Sequence, residues 1–333
     1  MDPSRCRQIV ASFAKQRILV VGDLMLDEFI WGKVSRISPE APVPVVNVTA
    51  DSYYPGGAAN VARNVREFTG QTAVIGIAGC DARGDQLLGL LRASGIDTSG
   101  VQRDPAGSTI TKTRIIARNQ QVVRVDRERT GPLTAAQSAA VVEHLESAGA
   151  AADAIIVADY GKGCFTQPLA DGICRWASAH GKILTVDPHP HTSLFWQGAT
   201  AVKPNRAEAF SAAGLTLCDP VEPVLSDRAL LEAGERLLGN WNCASLLITL
   251  GEQGMLLLER EAPPYHIPTR AKTVFDVSGA GDTAIAIFTL ALSAGATARQ
   301  AAEIANCASS IVVGKLGTAT VTPAELASGL AQL

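Results

Sequence analysis

The chain has 333 residues, of which 47% are hydrophobic, and a formal net charge of −3. This length and apolar content predict one large α/β domain over residues 1–333 with a sizeable core. The slightly acidic balance, without basic runs or interleaved aromatic residues, argues against nucleic acid as a partner. No apolar stretch is long enough to cross a bilayer, and the charged N-terminus has no signal-peptide core, so no membrane association is expected.

Seven cysteines are scattered along the chain. They form no CxxC pair and no Cys/His cluster with zinc spacing. This pattern is typical of reduced thiols and predicts a cytoplasmic protein.

Short apolar, β-branched segments alternate with helical patterns. We predict strands at residues 17–21, 72–77, 154–158, 183–186 and 245–250. A helix is predicted at 58–68. This alternation indicates a mostly parallel central sheet covered by helices on both faces.

Polar residues follow several of these strands. Asp23, Asp159 and Asp187 stand at the predicted carboxyl ends, and Thr249 to Gly251 does so as well. Ligands of open α/β sheets bind beyond these ends, so we expect the site there.

Two segments, 29–48 and 108–126, show near period-2 patterning without a following helix. We predict that they form a small antiparallel sheet that projects from the main one and covers a substrate, forms a dimer face, or both. Cations in these segments are either solvated or form a cluster that suits a substrate phosphate. They are Arg36, Lys112, Arg114, Arg118 and Arg124.

The first half of the chain also carries polar groups that suit a polyol. Asp23 and Asp27 could form charge-assisted hydrogen bonds with sugar hydroxyls. The segment Gly56-Gly57-Ala58-Ala59-Asn60 is a glycine turn that opens a helix, and it offers a second anion or hydroxyl site.

The second half contains pieces that could bind one nucleotide. Asn205 and Glu208 either begin and cap a helix, or Glu208 acts on hydrated Mg²⁺. The glycine turn from Thr249 to Gly254 brings backbone close to a phosphate or simply makes a hairpin. Asn306 lies on an Ala-rich helix, and it either contacts the base of the nucleotide or is a hydrogen-bonded core residue.

The segment Asp276-Val277-Ser278-Gly279-Ala280-Gly281-Asp282 precedes an apolar helical segment. The free N–H groups of a helix start and its dipole form an anion site, and glycines let a phosphate approach the backbone. A carboxylate at Asp282 could accept a proton from an attacking hydroxyl. The alternative is an N-capping Asp after an ordinary loop.

These motifs resemble the ribokinase/PfkB family of carbohydrate kinases. DVSGAGD at 276–282, NRAE at 205–208 and the Gly56-Gly57 turn carry the resemblance, which runs from about Arg17 to Thr322. It implies a ribokinase-like α/β fold with a β-sheet lid, and an ATP-dependent phosphotransferase with an alcohol acceptor. It also implies Mg²⁺, a homodimer through the lid sheets and a monovalent cation near Asp276.

The resemblance also implies roles for individual residues. Asp282 would be the general base, and Gly279, Ala280 and Gly281 would bind the transferred phosphoryl group. Nucleotide-side positions are Lys203, Asn205, Glu208 (which holds Mg²⁺ through water), Thr249, Gly251, Gly254 and Asn306. Sugar-side positions are Asp23, Asp27, Gly56, Gly57, Asn60, Lys112, Arg114, Lys162 and Asp187.

Further stretches, such as SRISPEAPVPVV, TKTRIIARNQQVVRVD and VGKLGTATVTP, are most similar to kinases of D-glycero-β-D-manno-heptose 7-phosphate. These enzymes serve ADP-heptose and lipopolysaccharide biosynthesis. The chain ends soon after the kinase region, so it resembles their stand-alone form. After Asp187-Pro188 such kinases often have Lys-Gly, whereas this chain has His189-Pro190. A role for a lysine in phosphate binding at this position therefore cannot be inferred for this chain.

Three other interpretations remain. Another PfkB-type kinase would share the ATP half and differ in the sugar half. A sensor without turnover would not need the complete GAGD motif. A dinucleotide-dependent oxidoreductase would need G-x-G-x-x-G after an early strand, and GDLMLD does not meet that requirement.

Overall fold

The computed structural model describes residues 3–118, 120–128, 131–190, 192–271 and 273–331. Asn119, in the second predicted extended segment, lies outside them. The strands are β1 Ile18–Gly22, β2 Leu24–Ile37, β3 Pro44–Gly57, β4 Thr72–Gly79, β5 Asp97–Asp104, β6 Ile110–Ala117, β7 Gln120–Arg127, β8 Ala154–Ala158, β9 Ile183–Asp187, β10 Ala201–Val202, β11 Ser245–Thr249, β12 Met255–Glu259 and β13 Ala262–Ile267. The helices are α1 Pro3–Ala11, α2 Ala58–Arg66, α3 Ala82–Ala93, α4 Ala135–Gly149, α5 Gln167–Ala179, α6 Arg206–Ala212, α7 Arg228–Asn240, α8 Ala280–Ser293, α9 Ala298–Val312 and α10 Pro323–Leu330.

In the described part of the chain, nine strands form the main sheet in the order β13-β12-β11-β10-β9-β8-β1-β4-β5. Neighbouring strands from β11 to β5 run parallel, and β12 and β13 add an antiparallel edge. β1 and β8 lie near the centre and are buried along their whole length, because helices cover both faces. The predicted mostly parallel sheet is confirmed.

Two hydrophobic clusters lie on opposite faces of this sheet. One includes residues of α2, α3, α8 and α9, and the other includes residues of α4, α5, α6 and α7. Helix α8 is buried all round from Thr283 to Ala291. A helix without a polar face is a core helix, so the start of α8 is held rigidly against the sheet.

A second sheet has the strand order β3-β2-β6-β7 among the described residues, and we call it the lid sheet. The two hairpins β2–β3 and β6–β7 are antiparallel, as predicted, but β2 and β6 pair in parallel. The purely antiparallel prediction was therefore wrong. β6 follows β2 only after the long connection through β3 to β5, and such a crossover allows the two strands to run in the same direction.

The lid sheet also begins earlier than predicted. β2 starts at Leu24, directly after β1, and its first residues are buried in the main core. β3 extends to Gly57, at the start of α2. The lid is thus continuous with the central strand and with a helix that carries predicted site residues.

Candidate active site

Two helix starts meet beyond the carboxyl ends of the central strands. Asn60, in the first turn of α2, donates a hydrogen bond from Nδ2 to Oδ2 of Asp282, in the first turn of α8, at 2.6 Å. Thr283, the next residue of α8, donates from Oγ1 to Oδ1 of Asn64, one turn further along α2, at 2.7 Å. These buried bonds between residues more than 200 positions apart fix the predicted base relative to the predicted sugar side.

Asp282 receives a second hydrogen bond, from the Tyr160 hydroxyl to Oδ1 at 2.5 Å. Burial raises the pKa of Asp282 to about 6, although the bonds from Tyr160 and Asn60 act in the opposite direction. Burial and the neighbouring Asp282 carboxylate raise the pKa of Tyr160 well above its usual value, so this phenol stays protonated and donates. A carboxylate with a pKa near 6 is suited to accept a proton at neutral pH.

The turn before α8 needs glycine at position 279. Gly279 has φ 80°, in the left-handed region, and it is the N-cap residue of α8. A Cβ atom on this residue would lie 3.1 Å from Asn60 Nδ2. The left-handed conformation turns the chain sharply so that α8 starts at Ala280, with Gly281 and Asp282 in its first turn.

Asp23 holds the loop that carries Tyr160. Its carboxylate accepts hydrogen bonds from the backbone N–H groups of Tyr160 at 2.9 Å, Lys162 at 3.2 Å and Cys164 at 3.1 Å. Asp23 is only 3% exposed, and burial raises its pKa. The structure therefore places this predicted sugar-side residue beneath the loop, where it positions Tyr160.

Lys203 and Asp187 form a buried ion pair at 3.0 Å. Burial opposes the charge of Lys203, but Asp187 and Glu208 outweigh that effect and raise its pKa. Burial raises the pKa of Asp187 to about 6 although Lys203 favours its ionised form. A Cβ atom on Gly281 would lie 3.5 Å from Lys203 Nζ, so the ammonium group lies beside the glycine turn.

A cavity of ≈ 460 Å³ opens beside the start of α8, between β11, the 251–254 turn and α9. It brings together six of the predicted phosphate-side and nucleotide-side residues, namely Thr249, Gly251, Gly254, Ala280, Gly281 and Asn306. The Asn306 side chain donates to the Pro268 carbonyl at 2.9 Å. The cavity is largely apolar elsewhere, as a base-binding site requires.

Asn205 and Glu208 make a reciprocal capping box at the start of α6. The Glu208 N–H donates to Asn205 Oδ1 at 2.9 Å, and the Asn205 N–H donates to Glu208 Oε2 at 2.7 Å. Asn205 and Glu208 thus cap α6, which leaves the proposed Mg²⁺ role of Glu208 open, and Asn205 is also bridged to Thr249 at the edge of the cavity.

No group of three or more His, Cys, Asp or Glu within the described residues is arranged to hold a metal ion. Glu208 and Asp187 nevertheless lie close enough for Glu208 to raise the pKa of Asp187. Two neighbouring carboxylates next to a phosphate site fit Mg²⁺, which prefers oxygen ligands and retains water.

A second cavity, of ≈ 490 Å³, lies under the lid sheet, and we call it the lid cavity. Arg114 of β6 lines it and is fixed by Asp27 of β2, with 2.5 Å between Nη1 and Oδ1. The guanidinium of Arg114 also stacks over Phe29, 5.2 Å from the ring centroid. A methyl group at Gly56 would overlap Asp27 Oδ2, so glycine there lets Asp27 reach Arg114.

Arg114 is the only one of the nine predicted sugar-side residues, all of them within the described part of the chain, that lines the lid cavity. Lys162 pairs with Glu128 at 2.7 Å, and Asp187 pairs with Lys203 on the phosphate side. Lys112 precedes Arg114 by two residues on β6, in register with Asp27. Gly57 is the N-cap residue of α2, and a Cβ atom on it would lie 2.6 Å from the Asp23 carbonyl oxygen. His189, at the position where similar kinases have lysine, packs against Gly161.

Two residues with a clear place in the site were not singled out from the sequence. Tyr160 bonds to Asp282, and its position directly after Asp159 at the end of β8 was the available signal. Arg63 lines the lid cavity, and its spacing of three from Asn60 on a helix was the signal.

Comparisons with known proteins show the family of the chain. The model of the pfkB family carbohydrate kinases matches residues 15–325. The chain is 43% identical over 326 residues to the bifunctional protein HldE of Geobacter metallireducens, covering 98% of this chain and 65% of that protein. It is 44% identical over 316 residues to the bifunctional protein HldE of Caulobacter vibrioides, covering 95% and 63%. The chain thus spans less than two thirds of the length of these relatives.

Solved structures share the fold. Phosphofructokinase-2 from Escherichia coli in complex with potassium has a TM-score of 0.76 at 18% identity, covering 95% of this chain and 98% of that one. Ribokinase from Arabidopsis thaliana complexed with ribose and ATP has a TM-score of 0.71 at 16% identity, with the same coverage. Within the described residues, no helix combines the length and apolar character needed to cross a membrane. The chain belongs to the pfkB family of carbohydrate kinases, and it is a phosphotransferase with an alcohol group as acceptor.

Proposed function

We propose that this kinase transfers a phosphoryl group from ATP to the anomeric hydroxyl of D-glycero-β-D-manno-heptose 7-phosphate, which gives heptose 1,7-bisphosphate. The observation that carries the proposal is the lid cavity, which Arg114 lines from β6 and Arg63 lines from α2, the helix that also carries Asn60. A free sugar or a nucleoside would give these guanidinium groups no anion. The heptose itself comes from the resemblance of the lid and C-terminal motifs to heptose 7-phosphate kinases.

The reaction follows from the geometry around Asp282. The sugar hydroxyl loses its proton to Asp282 as its oxygen attacks the γ-phosphorus, and ADP leaves on the opposite side. Asn60 and Tyr160 hold the carboxylate so that it does not need to reorient. The N–H groups at the start of α8 and the ammonium of Lys203 stabilise charge on the transferred group.

Mg²⁺ bound through Glu208, Asp187, water and the phosphates would neutralise charge on the nucleotide. ATP would occupy the ≈ 460 Å³ cavity, with its base toward Asn306 and α9 and its phosphates toward Gly281. A monovalent cation near Asp276 belongs to the same proposal, as does a role in the cytoplasmic synthesis of ADP-heptose for lipopolysaccharide.

We also propose a homodimer through the lid sheets. Ile30, Ile115 and Val123 lie in register across three strands, and Val123 is 45% exposed. An apolar row on an exposed sheet is a liability unless a second surface covers it. A second copy of the same sheet would satisfy this requirement.

The first test is ATP consumption with Mg²⁺ against heptose 7-phosphate, fructose 6-phosphate, ribose and adenosine. The Asp282→Asn variant serves as the control, because it retains the shape of the side chain and removes the base. Turnover with heptose 7-phosphate alone, lost in the variant, is the expected result. Turnover with another member of the panel instead would keep the kinase and refute the heptose assignment. No ATP consumption with any member of the panel would favour a sensor without turnover.

A further inference from the structure

Arg63 carries a guanidinium group that lacks a protein acceptor at one buried nitrogen. In the described part of the chain, its Nη1 atom is buried without a hydrogen-bond partner. Burial lowers the pKa of Arg63, although the charge of Glu67 acts in the opposite direction. Glu67 itself accepts a hydrogen bond from Thr320 Oγ1 at 2.8 Å. A buried donor on a charged group is costly unless an anion binds to it. Within the residues that the structure describes, Arg66 Nε is equally without a partner, but Arg63 also lines a cavity, so at Arg63 the arrangement points to an absent ligand.

The lid cavity provides room for that ligand. Arg63 lines it from α2, and Arg114 lines it from β6. Arg114 is already oriented by Asp27 and Phe29. Asp276 also lines the cavity, but its carboxylate accepts hydrogen bonds from the N–H groups of Ser278 at 2.9 Å and Gly317 at 3.1 Å. Among the described residues that line this cavity, Arg63 and Arg114 supply two guanidinium groups, and the one acidic residue, Asp276, is already satisfied by backbone.

We propose that Arg63 binds the phosphate group that the sugar substrate already carries. The inference rests on the proposed function and names the residue that would make it specific for a phosphorylated sugar. A guanidinium offers several donors in a planar fork that matches phosphate oxygens, and such charge-assisted bonds are stronger than neutral ones. Arg114, held by Asp27, supplies the second cation.

The position of Arg63 links the proposed phosphate site to the base. Asn60 and Arg63 are three residues apart on α2, so they lie on the same side of the helix with about 5–6 Å between their Cβ atoms. Asn60 donates a hydrogen bond to Asp282, the proposed general base, and Arg63 lines the lid cavity. The proposed phosphate site and the carboxylate of Asp282 are thus both held by α2.

The test compares Arg63→Ala with Arg66→Ala. Arg66 lies one turn further along the same helix, beside Gly95, and its Nε is also buried without a partner among the described residues. Its replacement therefore removes the same charge and a similar buried donor from α2, but outside the lid cavity. The full-length variants are titrated at equilibrium with heptose 7-phosphate and with unphosphorylated heptose, without ATP. Steady-state kinetics then give KM and kcat for each sugar and for ATP. The Arg63→Lys variant shows whether charge alone restores binding.

We expect Arg63→Ala to weaken binding of heptose 7-phosphate and to raise its KM roughly tenfold to a hundredfold, as loss of a charge-assisted bond predicts. The KM for ATP and the affinity for unphosphorylated heptose should stay within about twofold. Arg66→Ala should behave like the wild type, and Arg63→Lys should recover part of the loss. Equal losses for both sugars, or an unchanged affinity for heptose 7-phosphate, would overturn the assignment of Arg63.

The titration needs no turnover, so the two proposals can fail separately. Binding of heptose 7-phosphate that depends on Arg63 but leads to no phosphorylation would sustain the phosphate site and refute the proposed reaction. Phosphorylation that does not depend on Arg63 would do the reverse. No binding of heptose 7-phosphate to the wild type would refute both.

Discussion

Asp282 illustrates how a single residue gains its chemistry from distant parts of the chain. Its carboxylate lies in the first turn of α8, but its hydrogen-bond donors come from α2 and from the loop after β8. Burial raises its pKa to about 6, and the two donors limit that rise. The residue is therefore held in one orientation and kept basic enough to act at neutral pH.

The pH dependence of the reaction tests this role. A base with a pKa of about 6 is protonated and inactive below that value. The value of kcat/KM for the sugar should thus fall about tenfold for each pH unit below 6 and should be level above it. Initial rates with saturating ATP at low sugar concentration, measured from pH 5 to pH 8, give the profile. A flat profile between pH 5 and pH 7 would contradict a base with this pKa.

Tyr160→Phe tests whether the hydroxyl positions the base. The hydrogen bond from Tyr160 lowers the pKa of Asp282, so its loss should move the acidic limb of the profile to higher pH, by roughly one unit. We also expect kcat to fall by about tenfold, because the carboxylate loses one of its two anchors. Tyr53→Phe is the matched control, since that phenol bonds to Asp51 on the lid sheet. A lower kcat with an unmoved limb would indicate a merely structural role.

The sequence predicted Asp282 but neither Tyr160 nor Arg63. The motif around Asp282 is local, so glycine spacing and a following apolar segment were sufficient to find it. Tyr160 and Arg63 act through contacts with residues far away in the chain, and only the fold brings these together. The sequence placed Asp23 at a strand end, as the structure does, but predicted sugar binding, whereas Asp23 positions the loop that carries Tyr160. A position at a strand end does not reveal which N–H groups donate hydrogen bonds to the carboxylate.

At the scale of elements, the starts of α2 and α8 form one unit. Asn60–Asp282 and Asn64–Thr283 tie the two helices together, and α8 is buried all round. The glycine turn is thereby fixed against both the sheet and the sugar side. Catalysis then depends on the shape of this turn as much as on the side chains that it carries.

Gly279→Ala tests the turn. Gly279 has φ 80°, and an added Cβ atom would press on Asn60. We expect kcat to fall at least tenfold and the free energy of unfolding to fall by about 1–2 kcal/mol. Gly295→Ala is the control, because Gly295 also has φ 80° but has open space around it. The control should lose similar stability and retain activity. Equal activity of the two variants would show that the turn does not position the reacting groups.

Val123→Lys tests the proposed dimer. Val123 lies in the apolar row with Ile30 and Ile115, so a buried lysine charge in an interface should be strongly unfavourable. The mass from light scattering after size exclusion should fall from that of a dimer to that of a monomer. Leu217→Lys is the control, since Leu217 is 54% exposed and lies outside the lid sheet. A wild type that is monomeric at all concentrations would refute the proposal directly.

Elements were predictable to the extent that their patterns are local. The parallel strands read as short apolar segments, and the structure has them within a few residues of the predicted ends. The parallel pairing of β2 with β6 was not predictable, because it depends on the path of the crossover between them and not on either strand. The buried start of β2 was also missed, because β2 begins at Leu24, almost directly after β1 ends at Gly22, so that only Asp23 separates the two strands.

At the scale of the whole molecule, the fold brings several carboxyl groups with raised pKa values to one edge of the main sheet. Burial raises the pKa values of Asp159, Asp187 and Asp282 to about 6, and it also raises that of Asp23. Asp23, Asp159 and Asp187 stand at the ends of parallel strands, and Asp282 lies in the first turn of α8 beyond those ends, which is where the topology places ligands. Each ionised carboxylate costs stability at neutral pH, and the large core around the sheet must offset that cost.

Asp159→Asn measures that cost outside the reacting groups. Asp159 is 5% exposed and accepts hydrogen bonds from the Gly161 N–H and the Thr192 hydroxyl, both at 2.8 Å. Because its pKa is about 6 when folded and 3.8 as a free side chain, its contribution to stability is full below pH 3.8 and is lost as the pH rises through 6. The variant should therefore gain up to about 3 kcal/mol relative to the wild type at pH 8, and less at pH 5.

Asp227→Asn is the comparison in which the pKa shift has the opposite sign. Hydrogen bonds from Leu230 and Arg206 outweigh burial and lower the pKa of Asp227, so its stabilising effect is present above pH 3.8 and is lost only in stronger acid. Its replacement should cost stability about equally at pH 5 and pH 8, because the carboxylate is ionised at both. Urea unfolding of the wild type and both variants at the two pH values gives the comparison. If the difference between Asp159→Asn and the wild type does not grow with pH, Asp159 is ionised without penalty in the folded protein, and the carboxyl cluster is better solvated than its burial indicates.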